Sequence, residues 1–387
     1  MRWTCLAGLA ATLALALAGC NKTGSSNSSS ANSNEIVIGH VASLTGDTAT
    51  FGVSADEGIR LALEQINSKG GVLGKQVKVI TEDDRSLSDE AKTAANKLIT
   101  RDHVCALLGE IASSRSIAIA PVAEDAKIPM LSPGSTNPKV TQGYQYVFRN
   151  CFTDNFQGAA IADFAMKQLG FKKFAILYPA NSDYGVGLRD VFKKTAEKNG
   201  GQIVDEEAYT EKSDVDFRGQ LTKIKNANPQ AIFDSGYYTE AGLIAQQARE
   251  LGITCPILGG DGWDSDQTIK IGGKAIEGCY FSNHYSPDEN RPEVKDFVAA
   301  YEKKYNGKVP DAMAVLGYDA MKIMADAIQR AGSTDGTKIR DALASTKNFP
   351  GVSGSTTIDA NHNARKPIVM VKIEDGRFKY AGSVNPE

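Results

Sequence analysis

The chain alternates short apolar runs with amphipathic stretches, and this alternation restricts the fold more than any other feature. Runs such as residues 36–41 and 104–108 have the length and composition of buried strands. Stretches between them, such as residues 54–68, carry apolar residues at helical spacing. Strands that alternate with helices of this length indicate βαβ crossovers and parallel sheets covered on both faces.

The alternation occurs twice, first over residues 36–132 and again over residues 174–258. Two such series predict an α/β protein with two doubly wound αβα domains. The remaining chain predicts further elements, with helices at residues 292–305, 313–330 and 337–345 and a late pair of strands at residues 354–358 and 367–373.

The amino terminus has the pattern of a secretory signal peptide. Arg2 precedes an apolar run at residues 6–18, which is shorter than the roughly 20 residues that span a bilayer. The run ends in Leu-Ala-Gly-Cys, which resembles a bacterial lipoprotein signal in which Cys20 carries the lipid; an ordinary cleavage site is the alternative. Residues 21–35 are rich in Ser and Asn and predict a flexible tether. We therefore expect export, with Cys20 as the only membrane attachment.

Composition and motifs argue against several classes of function. The net charge of -3 gives no basic field for nucleic acid. The sequence contains no dinucleotide-binding glycine motif, no nucleophile elbow and no zinc-protease helix motif. Four histidines are scattered along the chain, at positions 40, 103, 284 and 362. We expect a protein that is not an enzyme and that holds no cofactor and no metal.

Beyond Cys5 and Cys20, four cysteines remain, and none forms a Cys-x-x-Cys pair. Cys255 and Cys279 lie in two apolar runs that are separated by one helix. A disulfide is expected if these runs are neighbouring strands, and free buried thiols are the alternative.

Several motifs, taken together, resemble the leucine/isoleucine/valine-binding family of periplasmic solute receptors. The segment Asn-Ser-Lys-Gly-Gly at residues 67–71 is the most specific of them. The others follow in family order, at residues 43–46, 51–52, 83–84, 109–114, 129–136, 143–149, 183–185, 235–237 and 259–262.

The resemblance implies the type I periplasmic binding protein fold, in which three crossover strands join two lobes that close on a ligand. The crossings are expected near residues 150–155, near residues 283–285 and near Val352. Lobe 1 then takes residues 36–154 and 285–351. Lobe 2 takes residues 155–284 and 352–387.

Polar residues follow two successive strands of the first series. Ser113 comes after the strand at 104–108 and just before a helix, where it is a candidate N-cap. Gly134 and Thr136 follow the next strand. Because ligands bind beyond the carboxyl ends of parallel strands, these residues predict a neutral cradle for a carboxylate. Capping and turn chemistry alone is the alternative.

The second series offers an acidic partner. Asp261 lies in Gly-Gly-Asp-Gly after a strand, where local sequence alone favours an Asx turn. The resemblance implies instead that Asp261 binds the ligand amine and that Phe51, Tyr184 and Tyr237 line the side-chain pocket. Trp263 either covers this pocket or packs between the lobes.

The resemblance implies a lipoprotein receptor that captures a branched-chain or other apolar amino acid and delivers it to the permease subunits of an ABC transporter. We expect it to act as a monomer. The alternative function is a sensor of amino acids, amides or small carboxylates that uses the same trap. The sequence departs from the leucine-type pattern at Asp261, which is shorter than the usual Glu, and at Phe51, which lacks a hydroxyl.

Overall fold

The structure of the chain is a computed structural model that describes residues 35–385, all within one compact unit. The signal peptide, Cys20 and nearly all of the tether lie outside the described residues. The strands are β1 Glu35–Ala42, β2 Gln76–Asp83, β3 Ala106–Leu108, β4 Met130–Ser132, β5 Val147–Arg149, β6 Lys173–Pro179, β7 Gln202–Tyr209, β8 Ala231–Asp234, β9 Ile257–Gly259, β10 Tyr280–Asn283, β11 Thr357–Ile358, β12 Ala364–Arg365, β13 Ile368–Glu374 and β14 Arg377–Val384. The helices are α1 Ala49–Ser68, α2 Ser88–Thr100, α3 Ser113–Ala126, α4 Asp154–Asp163, α5 Asp183–Lys198, α6 Arg218–Ala227, α7 Tyr238–Glu250, α8 Asp266–Gly272, α9 Pro292–Lys304, α10 Ala312–Ala331 and α11 Gly336–Ala344.

The first sheet has the order β2-β1-β3-β4-β5, and all of its strands are parallel. Alternate residues of each strand point to opposite faces, so each face has its own core. Ile38 and Leu108 pack in one cluster with α1 and α10, whereas Leu107 and Met130 pack in another with α2 and α3. This sheet with helices on both faces confirms the doubly wound prediction for lobe 1.

The second sheet has the order β14-β13-β10-β9-β8-β6-β7. The strands from β10 to β7 are parallel, but β13 pairs antiparallel with both β10 and β14. The late strand predicted at residues 367–373 is therefore present, and it is antiparallel to its neighbours. The reason is the tight turn at Asp375 and Gly376, both at positive φ, which returns the chain directly to β14.

Helix α4 was not predicted from the sequence. Its buried residues lie around much of its circumference, so the sequence shows no single apolar stripe. The helix continues through a π-helical turn at Phe164–Gln168. Among residues 35–385, no helix is both long enough and apolar enough to cross a membrane.

The segment before β13 stays with the first lobe. Only β11 forms in the region predicted as a strand at residues 354–358, and it pairs with β12. The Ile358 amide donates to the Thr346 carbonyl oxygen at 3.1 Å, and the Arg149 amide donates to the His362 carbonyl oxygen at 3.1 Å. These contacts favour a third crossing after Arg365, later than Val352. The exact lobe boundaries stay a prediction.

Candidate functional site

The residues predicted for a ligand site all follow the carboxyl ends of parallel strands. Ser113 follows β3, Thr136 follows β4, Tyr184 follows β6, Tyr237 follows β8 and Asp261 follows β9. In each sheet the chain reverses its winding at an inner strand, and ligands bind at such switch points. The strand order thus directs the predicted residues of both lobes to the corresponding sheet edges.

Ser113 is the first residue of α3 and does not cap the helix. The N-cap residue is Ala112, which makes no side-chain capping bond, so the capping prediction for Ser113 was wrong. The Ser113 hydroxyl instead accepts a hydrogen bond from the Asn137 amide at 3.1 Å. Its own proton remains available for a ligand. This bond ties the loop after β3 to the loop after β4.

Glu110 holds the loops of the cradle from behind. Its Oε1 accepts hydrogen bonds from the Ser43 amide at 3.1 Å and the Ser43 hydroxyl at 2.8 Å, and its Oε2 accepts from the Ala112 amide. Its backbone carbonyl accepts from the hydroxyls of Ser132 at 2.8 Å and Ser135 at 2.9 Å. A single buried residue therefore connects the ends of β1, β3 and β4.

A second buried charge fixes the backbone on both sides of Thr136. The fully buried Arg149 donates from Nη1 to the Ser135 carbonyl oxygen and from Nη2 to the Asn137 carbonyl oxygen, both at 2.7 Å. Gly134 lies close to Ile111, and a Cβ added at Gly134 would lie 3.1 Å from Ile111 Cδ1. The cradle therefore has a rigid backbone and little room for a side chain at position 134.

Asp261 is the centre of a hydrogen-bonded group in lobe 2. Its Oδ1 accepts from the Tyr184 hydroxyl and from Gln157 Nε2, both at 2.9 Å. Its Oδ2 lies 2.8 Å from His284 Nε2. The Trp263 and Asp264 amides of this turn donate to the backbone carbonyl oxygens of Gly260 and Asp261, in contrast to the Asx-turn alternative. Three of about four acceptor positions are occupied, which leaves one for a ligand donor.

Aromatic rings connect the two lobes next to Asp261. The rings of Tyr184 and Tyr237 stack with centroids 5.1 Å apart and an interplanar angle of 5°. Phe51 of lobe 1 meets Tyr237 edge-on at 5.6 Å and Tyr238 at 5.0 Å. Burial raises the pKa of Tyr184 and of Tyr237 well above the usual value, so both hydroxyls stay protonated near neutral pH.

Three polar residues next to Asp261 were missed from the sequence: Gln157, Asp154 and His284. Gln157 and Asp154 belong to the unpredicted α4. Asp154 is fully buried. Burial, followed by the charge of Asp261, raises its pKa well above the usual value, while the Thr136 hydroxyl and Arg149 oppose this rise. His284 lies in the predicted second crossing between the lobes, and this position was the one feature of the sequence that placed it near the cleft.

The two lobes touch at several polar contacts around this site. The Tyr238 hydroxyl donates to the Asp47 carbonyl oxygen at 2.6 Å, and Asn137 Nδ2 donates to the Asp183 carbonyl oxygen at 2.6 Å. The Ala312 amide, at the start of α10, donates to Asp264 Oδ2 at 2.6 Å. The structure therefore describes a closed cleft.

Comparisons with known proteins agree with this architecture. The sequence profile of the family described as periplasmic binding protein matches residues 35–377. The leucine-binding protein LivK of Thermotoga maritima is 43% identical, with a TM-score of 0.87 over 91% of this chain and 99% of that chain. LivJ of Streptococcus pneumoniae, a branched-chain amino acid transporter substrate-binding protein solved with isoleucine, is 34% identical, with a TM-score of 0.86 over 91% of this chain and 100% of that chain. Leu/Ile/Val-binding protein homolog 3 of Brucella melitensis is 31% identical over 89% of this chain and 93% of that protein.

The chain belongs to the periplasmic binding protein family. The name of the family indicates a location outside the cytoplasm, and the family consists of solute-binding proteins rather than enzymes. The location agrees with the export that the sequence predicted.

Two further predictions are resolved in this periplasmic binding protein. Trp263 neither covers the pocket nor packs between the lobes, because it is fully buried in the lobe 2 core and its Nε1 donates to Asp234 Oδ2 at 3.1 Å. Cys255 and Cys279 are free thiols, so the disulfide alternative was wrong. The Cys279 sulfur instead accepts a hydrogen bond from the Ile257 amide at 3.4 Å.

Proposed function

We propose that this protein is an extracytoplasmic receptor that captures a branched-chain or other apolar amino acid between its lobes and delivers it to an ABC transporter. One observation carries the proposal: the candidate cradle follows strands of the first sheet, the buried Asp261 follows a strand of the second, and polar contacts join the two lobes beside them. The relatives named above, which bind leucine or isoleucine by name, support the same ligand class.

An amino acid carries opposite charges a few bonds apart, so its burial requires one partner for each charge. Ser113, Gly134 and Thr136 are the proposed partners of the carboxylate. Asp261 is the proposed partner of the ammonium, through the acceptor position that its three hydrogen bonds leave open. The carboxylate partners lie in lobe 1 and the ammonium partner lies in lobe 2. Because one ligand contacts both lobes, its binding stabilises the closed form.

The apolar part of the ligand needs a surface without charge. Phe51, Tyr184 and Tyr237 supply aromatic faces from both lobes, and all three side chains are buried. Aromatic surface of this kind suits an aliphatic side chain and disfavours a charged one. This selection favours leucine, isoleucine and valine over lysine or glutamate.

The proposed setting includes a lipid on Cys20 that attaches the protein to a membrane, after cleavage removes the signal-peptide residues that precede Cys20. Residues 21–35 then act as the tether. The proposed partners are the permease subunits of the transporter, which the protein meets as a monomer.

Calorimetric titration of a chain that begins at residue 21 tests the ligand class. We expect leucine, isoleucine or valine to bind tightly, and 4-methylpentanoate and 3-methylbutylamine, which lack the amine and the carboxylate respectively, to bind poorly. Tight binding of 4-methylpentanoate together with weak binding of every amino acid would overturn the proposal in favour of a carboxylate receptor.

A further inference from the structure

His284 shares the carboxylate that we assign to the ligand amine. Its Nε2 lies 2.8 Å from Asp261 Oδ2, and its ring stacks on Phe152 with centroids 4.0 Å apart and an interplanar angle of 14°. The residue directly follows β10, at one of the crossings between the lobes. A titratable ring therefore lies in direct contact with the proposed ammonium partner.

The surroundings of His284 favour a neutral ring. The side chain is almost fully buried, and Nδ1 has no hydrogen-bond partner, so a proton there would be buried without an acceptor. With Nδ1 unprotonated, Nε2 carries the proton and donates it to Asp261. Burial lowers the pKa of His284 and the charge of Lys366 lowers it further, while Asp261 opposes both.

The groups around this pair come from several elements. Asp261 faces His284 from the turn after β9, and Lys366 acts from the segment before β13. Tyr184 of α5 contacts Asp261 through its hydroxyl, and the buried Asp154 of α4 is also near enough to Asp261 for the charge of Asp261 to raise its pKa. Of these groups, only His284 has its ordinary pKa between pH 5 and 8.

We propose that His284 is a specificity-determining residue that makes the choice of ligand depend on pH. The proposal rests on the amino-acid function argued above. With His284 neutral, the charge of Asp261 is available to an ammonium. With His284 protonated, the negative charge of Asp261 is already compensated, so an ammonium finds no unpaired charge there, and the cationic ring favours a carboxylate that brings no amine.

The sign of the effect follows from linkage between proton and ligand. The proposal requires that solvent reach His284 in the open cleft, where its pKa is then near the ordinary value of about 6.5. Closure on an ammonium expels the proton, and the affinity for leucine therefore falls as the pH falls through this range. One linked proton weakens binding by at most about tenfold per pH unit, or roughly 10- to 30-fold between pH 7.5 and 5.0.

The test compares the unaltered chain with His284→Gln, whose side-chain amide keeps a donor toward Asp261 but does not titrate. Titrations with leucine and with 4-methylpentanoate run from pH 7.5 to 5.0. We expect leucine affinity to fall about 10- to 30-fold more in the unaltered chain than in the variant. The affinity for 4-methylpentanoate rises over the same range, and only in the unaltered chain.

Other buried carboxylates titrate in the same range, but they affect both chains alike, so the difference between the chains isolates His284. Equal pH profiles in the two chains would overturn the proposal while the amino-acid function stands. Absence of amino-acid binding at every pH would overturn the function itself. If the variant fails to fold, the number of protons released when the unaltered chain binds each ligand at pH 5.5 tests the proposal. We expect leucine binding to release more protons than 4-methylpentanoate binding. Equal numbers would contradict the role of His284.

Discussion

The two walls of the cleft place their charges in opposite ways. In lobe 1 the proposed ligand contacts are neutral, and the charged side chains of Glu110 and Arg149 stand behind them and hold their backbone. In lobe 2 the charged Asp261 is the proposed contact, and neutral donors of Tyr184 and Gln157 stand behind it. The comparison teaches that buried charge serves rigidity on one wall and recognition on the other.

This difference has an electrostatic reason. A zwitterion brings no net charge, so a wall with one carboxylate and a wall of dipoles leave the occupied cleft with a single negative charge, which the donors around Asp261 stabilise. A cation in the cradle would compete with the ligand ammonium for the negative charge of Asp261. The neutral wall thus keeps Asp261 free for the ammonium.

Removal of the charge on the second wall should have the largest effect. Truncation of one partner of a buried charge pair costs about 2–5 kcal/mol, so Asp261→Ala should weaken leucine binding on the order of 30-fold to several-thousand-fold. Calorimetry measures the change. Asp163→Ala is the matched control, because Asp163 is a half-exposed carboxylate on the same lobe that pairs only with neighbours outside the cleft. Full leucine affinity in Asp261→Ala would show that Asp261 does not bind the ligand and that the two walls do not differ in this way.

Removal of one hydroxyl from the first wall should have a smaller effect. Ser113→Ala deletes a neutral donor to a charged ligand group, which is worth about 1.5–3 kcal/mol, or roughly 10- to 150-fold in affinity. The loss should be specific for ligands with a carboxylate, so leucinamide should lose less than leucine. Equal losses for both ligands would show that the substitution acts on the loop and not on the carboxylate.

The contact between the walls should depend on pH. Burial and the nearby Asp311 raise the pKa of Asp264 to about 7, and burial raises the pKa of Asp311 to about 6. Raised carboxyl pKa values favour the closed form below the ordinary pKa near 4, and this advantage is lost as the pH rises through 6 to 7. Without ligand, the ratio of closed to open molecules should fall roughly ten- to hundredfold from pH 5 to pH 8.

Small-angle scattering of the ligand-free protein measures this change as a larger radius of gyration at pH 8. Asp264→Asn keeps an acceptor for the Ala312 amide but cannot ionise, and should remove most of the pH dependence. If Asp264→Asn shows the same pH dependence as the unaltered chain, the effect belongs to other carboxyl groups. Asp84 and Glu240 are examples, because their pKa values are also raised to about 7.

We expect the smallest loss of affinity from a change at Phe51, where the two walls meet through aromatic rings. Phe51→Leu removes two edge contacts, with Tyr237 and Tyr238, and each such contact is worth about 0.5–1.5 kcal/mol. Because Leu retains part of the apolar area, leucine affinity should fall only about two- to tenfold. Titration with valine, leucine and phenylalanine checks the expectation that the larger side chain gains relative to the smaller one. An unchanged order of affinities would place the ligand side chain away from Phe51.

The sequence predicts most where its pattern is local. Strand and helix periodicity predict the doubly wound lobes, and Ser113 and Thr136 follow from that fold as candidates after strand ends. The role predicted for Asp261 came from the family resemblance. The partners of Asp261 depend on contacts between distant segments. Gln157 comes from α4, which has no apolar stripe, and His284 comes from a crossing that the resemblance alone located.

The errors have the same origin. Ser113 was assigned as a cap because its position before a helix fits that role, but its partner Asn137 is 24 residues away. Of the strand predicted at residues 354–358, only Thr357 and Ile358 form one, and hydrogen bonds join this segment to Thr346 and to the edge of the first sheet. Hydrophobic periodicity within a short window does not show which distant residues a segment bonds to.

The antiparallel hairpin at the edge of the second sheet determines when that sheet can be completed during synthesis. Strand β10 ends at Asn283, but its neighbour β13 begins only at Ile368, after α9, α10 and α11 have been made. Until then β10 has an unpaired edge, which invites pairing with other chains. Lobe 2 therefore cannot finish folding before most of lobe 1 has been translated, and deletion of β13 and β14 should yield an aggregating chain although every proposed ligand contact is still present.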